Sequence, residues 1–262
     1  MAHAGRLFDA HFHIIDTEFP LQRNQGFSPN AFTITDYLTT ASSLGLSGGV
    51  VVAGSFQSFD QSWLRAALGR LGPAYVGVAQ LPASVDEATL RELNAAGVRA
   101  VRFNVQRGGS ESIALIEAFA HRVHTVCGWH VELHADAAAL APLVPMLKTL
   151  SQVVIDHLGL SAAALPTLLA LAERHAKVKA TGFGRVTLDV ASALRAIHAA
   201  NPRALMFGTD LPCTRAPRPF SPQDIELLVR VLPHSGHDAV FAGNALELYR
   251  PEVMRRAAAA DA

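Results

Sequence analysis

The amino-acid sequence predicts an α/β fold, a single-domain (β/α)8 or TIM barrel that takes up residues 1–262. Three observations favour it. Short apolar runs alternate with longer helical patterns along the whole chain, eight such pairs can be placed, and at about 33 residues per pair they leave no room for a second domain. An open, doubly wound sheet is the alternative, but no glycine-rich phosphate loop follows the first predicted strand.

Most of the predicted strands are short apolar runs without clean alternation, which is typical of parallel strands buried on both faces. The strands span residues 7–14, 49–53, 75–80, 100–105, 130–134, 153–156, 177–181 and 204–207. The helical runs between them are long enough to carry right-handed crossovers.

The predicted helices combine apolar stripes with end signals. Ser84 followed by Glu87 indicates a capping box, and Gly97 indicates the end of that helix. Ser110 and Ser161 mark the start of two further helices. The others span residues 35–44, 58–71, 137–150, 189–200, 221–231 and 244–249, and the longest irregular segments, 17–30 and 211–220, follow strands one and eight.

Composition excludes several classes of partner. Half of the residues are hydrophobic and 17% are charged, which predicts a buried core, and 22 Lys and Arg balance 22 Asp and Glu without a basic block. Nucleic acid and membrane surfaces are therefore not expected as partners. The longest apolar stretch, 137–147, is too short for a membrane span. Two cysteines and the lack of a signal peptide predict a cytoplasmic protein.

Two histidines end the first predicted strand in the run Asp9-Ala10-His11-Phe12-His13. Side chains two residues apart on a strand point the same way, so His11 and His13 converge on one spot. Taken alone, this short pattern fits a pair of packed or surface histidines as well as it fits a site.

Further polar residues fall at the ends of other strands. His134 ends strand five, His157 follows strand six and Asp210 follows strand eight. In a barrel these carboxyl ends face the active site, and a buried charge there needs a partner or a function. Four histidines and one aspartate at one rim suit metal binding or acid–base chemistry.

Arginines accumulate at the same rim. Arg102 lies within strand four, Arg107 follows it, and Arg185 comes just after strand seven. Guanidinium groups bind carboxylates with two parallel hydrogen bonds, so we expect a small anionic substrate. Arg215 and Arg218, in the loop after strand eight, are expected to pair with acidic residues or to face the solvent.

The remaining histidines and one cysteine are expected to be structural. Cys213 is interpreted as a small packing residue because no Cys/His/Asn pattern supports a thiol nucleophile. The histidines expected to be exposed are His3, His121, His124, His175, His198, His234 and His237.

Five short motifs carry a family resemblance. They are Phe8-Asp9-Ala10-His11-Phe12-His13, Gly97-Val98-Arg99-Ala100-Val101-Arg102-Phe103-Asn104, Val154-Ile155-Asp156-His157-Leu158-Gly159, Phe207-Gly208-Thr209-Asp210-Leu211-Pro212 and Gly243-Asn244-Ala245. Together they make the chain resemble the amidohydrolase superfamily, in the amidohydrolase-2 branch that contains lactonases of pyrone dicarboxylates and of sugars. The resemblance implies a barrel hydrolase that acts on a lactone or a related cyclic ester.

The resemblance also implies roles for the rim residues. Asp210 would be the general base that activates water, and His11, His13 and His157 would polarise the lactone carbonyl. The residues expected to bind the substrate are Arg102, Asn104, Arg107, His134 and Arg185.

The cofactor is left open by the resemblance. Lactonases of this branch include one that works without a metal, whereas related decarboxylases use one. We therefore expect either no cofactor or one divalent metal, zinc foremost. The ligands would then come from His11, His13, His134, His157 and Asp210. No lysine ends strand four or five, so a carbamylated site with two metals is not expected.

Two other functions compete with lactone hydrolysis. One is a metal-dependent decarboxylase or amide hydrolase of the same superfamily, and the other is a barrel that binds a carboxylate ligand without catalysis. The oligomeric state is left open.

Overall fold

The computed structural model describes residues 6–253 and contains one eight-stranded parallel sheet. The strands, β1 to β8, are Leu7–Phe12, Leu46–Val52, Tyr75–Ala79, Val98–Phe103, His130–Leu133, Val153–Ile155, Lys177–Ala180 and Leu205–Phe207. Each strand pairs with the next one in the sequence, which is the topology of a (β/α)8 barrel. The predicted fold class is confirmed, with strand ends that differ from the predicted ones by no more than about three residues.

The barrel closes between β1 and β8 at their carboxyl ends. The His13 backbone N–H donates to the carbonyl of Leu211 at 2.7 Å, and the Asp210 N–H donates to the carbonyl of His11 at 2.7 Å. These two bonds bring the end of β1 directly beside the segment that follows β8. The closure of the barrel therefore places His11, His13 and Asp210 together.

Asp9 adds side-chain hydrogen bonds to this junction between β1 and the segment after β8, which we call the seam. Its carboxylate accepts the Thr209 backbone N–H at 2.8 Å and the Thr209 hydroxyl at 2.7 Å. It also accepts the backbone N–H of His11 at 3.1 Å and the hydroxyl of Tyr37 at 3.3 Å. Burial raises the pKa of Asp9 to about 6, and the hydrogen bonds from Thr209 oppose that rise.

Nine α-helices lie between and after the strands in the described part of the chain. They are α1 to α9, at Ile34–Leu44, Ser62–Leu71, Glu87–Ala95, Ile116–Cys127, Val144–Leu147, Leu165–Ala172, Val190–Ala200, Pro222–Val231 and Asn244–Tyr249. Short 3₁₀ turns lie at Ile113–Leu115, Ala137–Leu143, His157–Gly159, Ala162–Ala164 and His234–Gly236, and a π-helical turn lies at Ala239–Gly243.

Three predicted helix features are wrong. Ser112, not Ser110, caps the helical segment that leads into α4, and its hydroxyl accepts the N–H of Ala114 at 3.3 Å. Asp86, not Ser84, caps α3, and its side chain accepts the N–H of Thr89 at 2.8 Å. The long helix predicted over 137–150 is instead a 3₁₀ segment followed by the four residues of α5. Pro142 and Pro145 explain the difference because proline lacks the N–H that a continuous α-helix needs.

The core has two parts. The larger apolar cluster lies between the sheet and its helices, and a smaller one, which includes Tyr249 of α9, fills part of the barrel interior. Charged side chains share that interior: Arg102, Glu132 and Lys179 are at most 3% exposed. None of the helices within residues 6–253 is long and apolar enough to span a bilayer.

The exposure predicted for the scattered histidines holds for most of those described. His121, His124, His175 and His234 are exposed, and His198 is half-buried. For His237 the prediction is wrong: the ring is buried, and its Nε2 lies 3.2 Å from the carbonyl of Leu232, because the chain after α8 folds back against the barrel. His3 lies outside the described residues.

Candidate active site

The predicted site residues meet in a pocket at the carboxyl end of the barrel. Those lining it are His13, Arg102, Asn104, Arg107, His134, His157, Arg185 and Asp210, and His11 lies fully buried beneath them. A larger cavity of about 740 Å³ opens at the other end of the barrel, around Lys177, Arg203 and Tyr249. It contains none of the residues predicted for the site.

Asp210 stands at the centre of three imidazoles. Its Oδ1 lies 3.7 Å from His11 Nε2, 3.7 Å from His13 Nε2 and 3.8 Å from His157 Nε2. Within the described residues, neither Asp210 Oδ1 nor His11 Nε2 has a hydrogen-bond partner, although both are buried. Buried polar atoms of this kind require a water, a substrate atom or an ion between them.

Hydrogen bonds at the Nδ1 atoms of the rings determine which ring nitrogen of His13 and of His134 carries the hydrogen. His13 Nδ1 lies 2.7 Å from the carbonyl of Val52, which can only accept, so Nδ1 carries the hydrogen and Nε2 presents a lone pair. His134 Nδ1 lies 3.0 Å from Asn104 Oδ1, which imposes the same tautomer. His157 Nδ1 lies 2.7 Å from the hydroxyl of Thr181, which can donate or accept.

The histidines are neutral at physiological pH. Burial lowers the pKa of His13 to about 3, helped by the nearby Arg102 cation. Burial also holds the pKa values of His11, His134 and His157 well below their usual range, with added repulsion from Lys179, Arg102 and Arg185 respectively. The rings therefore act as hydrogen-bonding or metal-binding groups in their neutral form.

Arg185 holds one oxygen of Asp210 and leaves the other free. Its Nε donates to Asp210 Oδ2 at 2.9 Å, and its Nη2 donates to the same oxygen and, at 3.1 Å, to the carbonyl of Thr214. Burial raises the pKa of Asp210, and the guanidinium of Arg185 opposes that rise. The free oxygen, Oδ1, is the one that faces the imidazoles.

Two residues of the centre have strained backbones. Asp210 has φ of 61° and His157 has φ of 50°, in the left-handed region that non-glycine residues rarely adopt. Such conformations cost about 1–3 kcal/mol and persist where the surrounding structure imposes them, most often at functional sites. His157 lies two residues after the end of β6 and Asp210 three residues after the end of β8, in turns that aim both side chains into the pocket.

Arg102 has a carboxylate partner inside the barrel wall. Its Nε and Nη2 donate to Asp156 Oδ2 at 3.0 and 2.7 Å, and its Nη1 donates to the carbonyl of Ala53 at 2.8 Å. Arg102 and Lys179 bring the pKa of Asp156 well below its usual range despite burial. Most donors of Arg102 are thus used within the protein.

Sequence reasoning missed the charged pair beneath the site. Lys179 Nζ lies 2.5 Å from Glu132 Oε2, 3.5 Å from Asp156 Oδ1 and 3.2 Å from His11 Nδ1. All four side chains are fully buried. The period of two could have placed Glu132 on the side of the sheet that His134 faces, because the two residues are two positions apart, but it does not identify Lys179 as the partner.

Loops from four strands form the roof of the pocket. Arg215 donates to the backbone carbonyl and side-chain oxygen of Asn24 at 2.6 and 3.0 Å, and its guanidinium lies 4.4 Å from the ring centre of Phe27. Asn24 in turn donates to the carbonyl of Arg107, and Ser55 donates to Asn24, both at 3.1 Å. The expectation for Arg215 is wrong: it is half-buried and lines the pocket, because loop contacts draw it inward.

The expectations for Arg218 and Cys213 are confirmed. Arg218 pairs with Asp224 at 2.7 Å. Cys213 is buried, and burial raises the pKa of its thiol to about 12, which does not suit a nucleophile. Its Sγ accepts the backbone N–H of Phe220 at 3.1 Å, which fits a packing role.

A subset of the predicted ligands can hold a metal ion. His11, His157 and Asp210 each offer one donor atom, and these atoms lie within 4.8 Å of one another. Two of those atoms, His11 Nε2 and Asp210 Oδ1, are the buried ones without partners, so the donor set fits a divalent cation.

Comparisons with known proteins agree with this geometry. The Amidohydro_2 family model, described as amidohydrolase, matches residues 8–250. Over 228 residues the chain is 28% identical to a 4-sulfomuconolactone hydrolase of Rhizobium radiobacter. This match covers 78% of this chain and 75% of that protein. Over 156 residues it is 30% identical to a 2-pyrone-4,6-dicarboxylate hydrolase of Comamonas testosteroni, covering 58% of this chain and 51% of that one. The chain belongs to the amidohydrolase family of enzymes.

Solved structures share the barrel. A probable 2-pyrone-4,6-dicarboxylic acid hydrolase of Acinetobacter baumannii superposes with a TM-score of 0.81 at 24% identity, over 94% of this chain and 99% of that one. A protein of Agrobacterium tumefaciens gives a TM-score of 0.81 at 22% identity, over 95% and 97% of the two chains. At these identities the similarity shows the fold.

Proposed function

We propose that this enzyme hydrolyses a lactone, or a related cyclic ester, that carries carboxylate or hydroxyl groups. The observation that carries the proposal is the free, buried Oδ1 of Asp210, which faces three neutral imidazoles in a pocket rimmed by arginines. The names of the two lactone hydrolases similar to this chain support it, since both describe anionic lactones.

Asp210 is the proposed general base. A water between Asp210 Oδ1 and His13 Nε2, which are 3.7 Å apart, can donate one hydrogen to each, because both atoms are acceptors. Asp210 takes the proton as the water oxygen attacks the lactone carbonyl. The ring C–O bond then breaks, and Asp210 returns the proton to the leaving oxygen, giving a hydroxyl group and a carboxylic acid. The acid then releases the second hydrogen of the water to the solvent and becomes a carboxylate.

The negative charge that develops on the carbonyl oxygen needs a hydrogen-bond donor. The resemblance implies His11, His13 and His157 for this task. The bond from His13 to Val52 leaves its Nε2 without a hydrogen, so His13 suits the water and His11 or His157 suits the oxyanion. One such donor contributes roughly 3 kcal/mol to the transition state, about a hundredfold in rate.

The anionic part of the substrate is proposed to bind under the roof. Arg107 and Arg215 both line the pocket, and the nearby charge of Arg107 adds to burial in lowering the pKa of Arg215. Two cations that repel each other in a partly buried pocket favour an anion between them. Arg102 and Arg185 are proposed to add their remaining N–H groups to the same substrate, with Asn104 and His134 completing the wall.

A metal ion is the alternative to a metal-free centre. One divalent cation, zinc foremost, would be held by His11, His157 and Asp210, with His13 Nε2 also 3.7 Å from Asp210 Oδ1. When bound, such an ion supplies a Lewis acid to the substrate carbonyl. His134 does not belong to this group of ligand atoms.

A panel of lactones tests the proposal. Purified enzyme is assayed with 2-pyrone-4,6-dicarboxylate, carboxylated muconolactones and sugar lactones, as prepared, after chelation, and after chelation with added zinc. We expect ring opening of at least one carboxylated lactone, with NMR of the product separating hydrolysis from isomerisation. Turnover lost on chelation and restored by zinc would assign metal-dependent chemistry, and binding without turnover across the panel would refute the hydrolase assignment.

A further inference from the structure

Lys179 lies directly beneath the catalytic centre and contacts one of its histidines. The side chain extends from β7 into the barrel interior and is fully buried. Its Nζ lies 3.2 Å from His11 Nδ1, the ring nitrogen that points away from Asp210. An ammonium group has three donors and no acceptor, so this contact requires a lone pair on Nδ1.

A second group competes for the same ring nitrogen. Asp156 Oδ1 lies 3.4 Å from His11 Nδ1 and would require the hydrogen on Nδ1 instead. The lysine is closer, at 3.2 Å against 3.4 Å, and among the described residues only the contact with Lys179 has hydrogen-bond geometry. The geometry therefore favours the tautomer that faces Lys179, in which the single hydrogen of the neutral ring is on Nε2.

We propose that Lys179 is a positioning residue that fixes His11 as an Nε2–H hydrogen-bond donor aimed at the space beside Asp210. The centre then contains two histidines with opposite roles. His13, held by Val52, offers an acceptor to the attacking water, and His11, held by Lys179, offers a donor to the carbonyl oxygen. The kinetic part of this inference rests on the proposed lactone hydrolysis, whereas the tautomer does not. The tautomer belongs to the metal-free centre, because a nitrogen that carries a hydrogen has no lone pair for a metal ion.

The rest of the barrel interior holds the lysine in place. Glu132 Oε2 accepts from Lys179 Nζ at 2.5 Å, and the other oxygen of Glu132 accepts from the hydroxyl of Tyr249 and lies 3.3 Å from His130 Nε2. Burial alone would raise the pKa of Glu132, but the Lys179 cation brings it below its usual value. A residue anchored this way can orient a ring without itself touching the substrate.

Matched variants distinguish a change in the tautomer of His11 from a general loss of stability. Removing Lys179 alone would leave a buried Glu132 carboxylate without its cation, so the test uses the double variant Lys179→Met/Glu132→Gln. Glu132→Gln is the control, since it disturbs the same pair but keeps the lysine. Lys179→Gln/Glu132→Gln is the conservative variant, because the glutamine amide restores an N–H donor. The tautomer of His11 is measured by ¹⁵N–¹H NMR, with its signals assigned by their loss in His11→Gln.

We expect the Nε2-protonated signature in the wild type, in Glu132→Gln and in Lys179→Gln/Glu132→Gln. In Lys179→Met/Glu132→Gln the hydrogen moves to Nδ1, toward Asp156. On a hydrolysed lactone this variant loses kcat by about a hundredfold relative to Glu132→Gln, with KM changed by less than about threefold, because a transition-state donor is lost. The conservative variant recovers most of kcat.

Two results would overturn the proposal. One is an Nδ1-protonated His11 in the wild type, and the other is an unchanged tautomer in Lys179→Met/Glu132→Gln. If the tautomer moves as expected while no lactone is hydrolysed by any form of the protein, the positioning role stands and the proposed function fails. If a lactone is hydrolysed but the tautomer does not depend on Lys179, the proposed function stands and this inference fails.

Discussion

The buried ion pair between Glu132 and Lys179 makes a strong prediction about stability. Both side chains are fully buried, and their charged atoms are 2.5 Å apart. With an effective dielectric constant of about 20, Coulomb's law gives an attraction of about 7 kcal/mol at that distance. In Glu132→Gln the amide oxygen still accepts a hydrogen bond but the charge is gone. We therefore expect the free energy of unfolding to fall by about 3–5 kcal/mol, as for other broken buried pairs.

A surface pair of similar geometry provides the matched control. Arg91 and Glu87 lie 2.8 Å apart on α3, with both side chains more than half exposed. Because water screens this pair, Glu87→Gln should cost no more than about 0.5 kcal/mol. The same glutamate-to-glutamine change thus compares a buried pair with an exposed one.

The assay is equilibrium unfolding in urea at pH 7, followed by circular dichroism and tryptophan fluorescence. The midpoint for Glu132→Gln should fall while the slope with urea stays unchanged, which identifies a loss of stability of the native state. A difference of less than about 1 kcal/mol between the two variants would refute the reasoning that burial makes the Glu132–Lys179 pair important.

Three further predictions concern Asp9 in the seam between β1 and β8, Arg215 in the roof of the pocket, and the thiol of Cys213. Asp9→Asn should lower the free energy of unfolding by about 1–3 kcal/mol in the same urea assay, because an amide N–H₂ replaces an acceptor that faces Thr209; an unchanged midpoint would contradict the seam described for β1 and β8. Arg215→Met should raise KM for a carboxylated lactone about tenfold or more while changing kcat little, and equal KM values would remove Arg215 from the anion site. In a Cys127→Ser background, Cys213 should react with a thiol reagent at pH 8 only when the protein unfolds, because its pKa is raised to about 12; fast labelling of the folded protein would contradict its burial.

Much of the fold and the rim of the site could be predicted from sequence. The alternation of apolar runs and helical patterns located all eight strands, since parallel strands buried on both faces leave that signal even in short runs. The positions of His157 and Asp210 just after predicted strands placed them at one mouth, because the carboxyl ends of barrel strands converge there. That residues 1–262 form one domain stays a prediction, as do the roles of the site residues.

The parts that sequence missed depend on distant pairing. Glu132 and Lys179 are 47 positions apart, and their side chains meet only because β5 and β7 both direct them into the barrel interior. Arg102 has its partner in Asp156, which lies 54 positions away. The solvent exposure or acidic pairing expected for Arg215 is wrong because the loop after β8 and the loop after β1 together decide where its side chain points. The conformations of these loops follow no periodic sequence pattern.

The central proposal is that Asp210 is the general base that activates water, and one comparison of variants tests it most directly. Hydrolysis of the best lactone from the panel is measured in metal-free buffer for the wild type, Asp210→Asn and the control Asp86→Asn, whose carboxylate caps α3 on the surface. We predict that Asp210→Asn folds with wild-type circular dichroism and loses kcat by at least about a hundredfold, in keeping with the size of a general-base contribution, while Asp86→Asn keeps it. Turnover by folded Asp210→Asn at the wild-type rate would contradict the account.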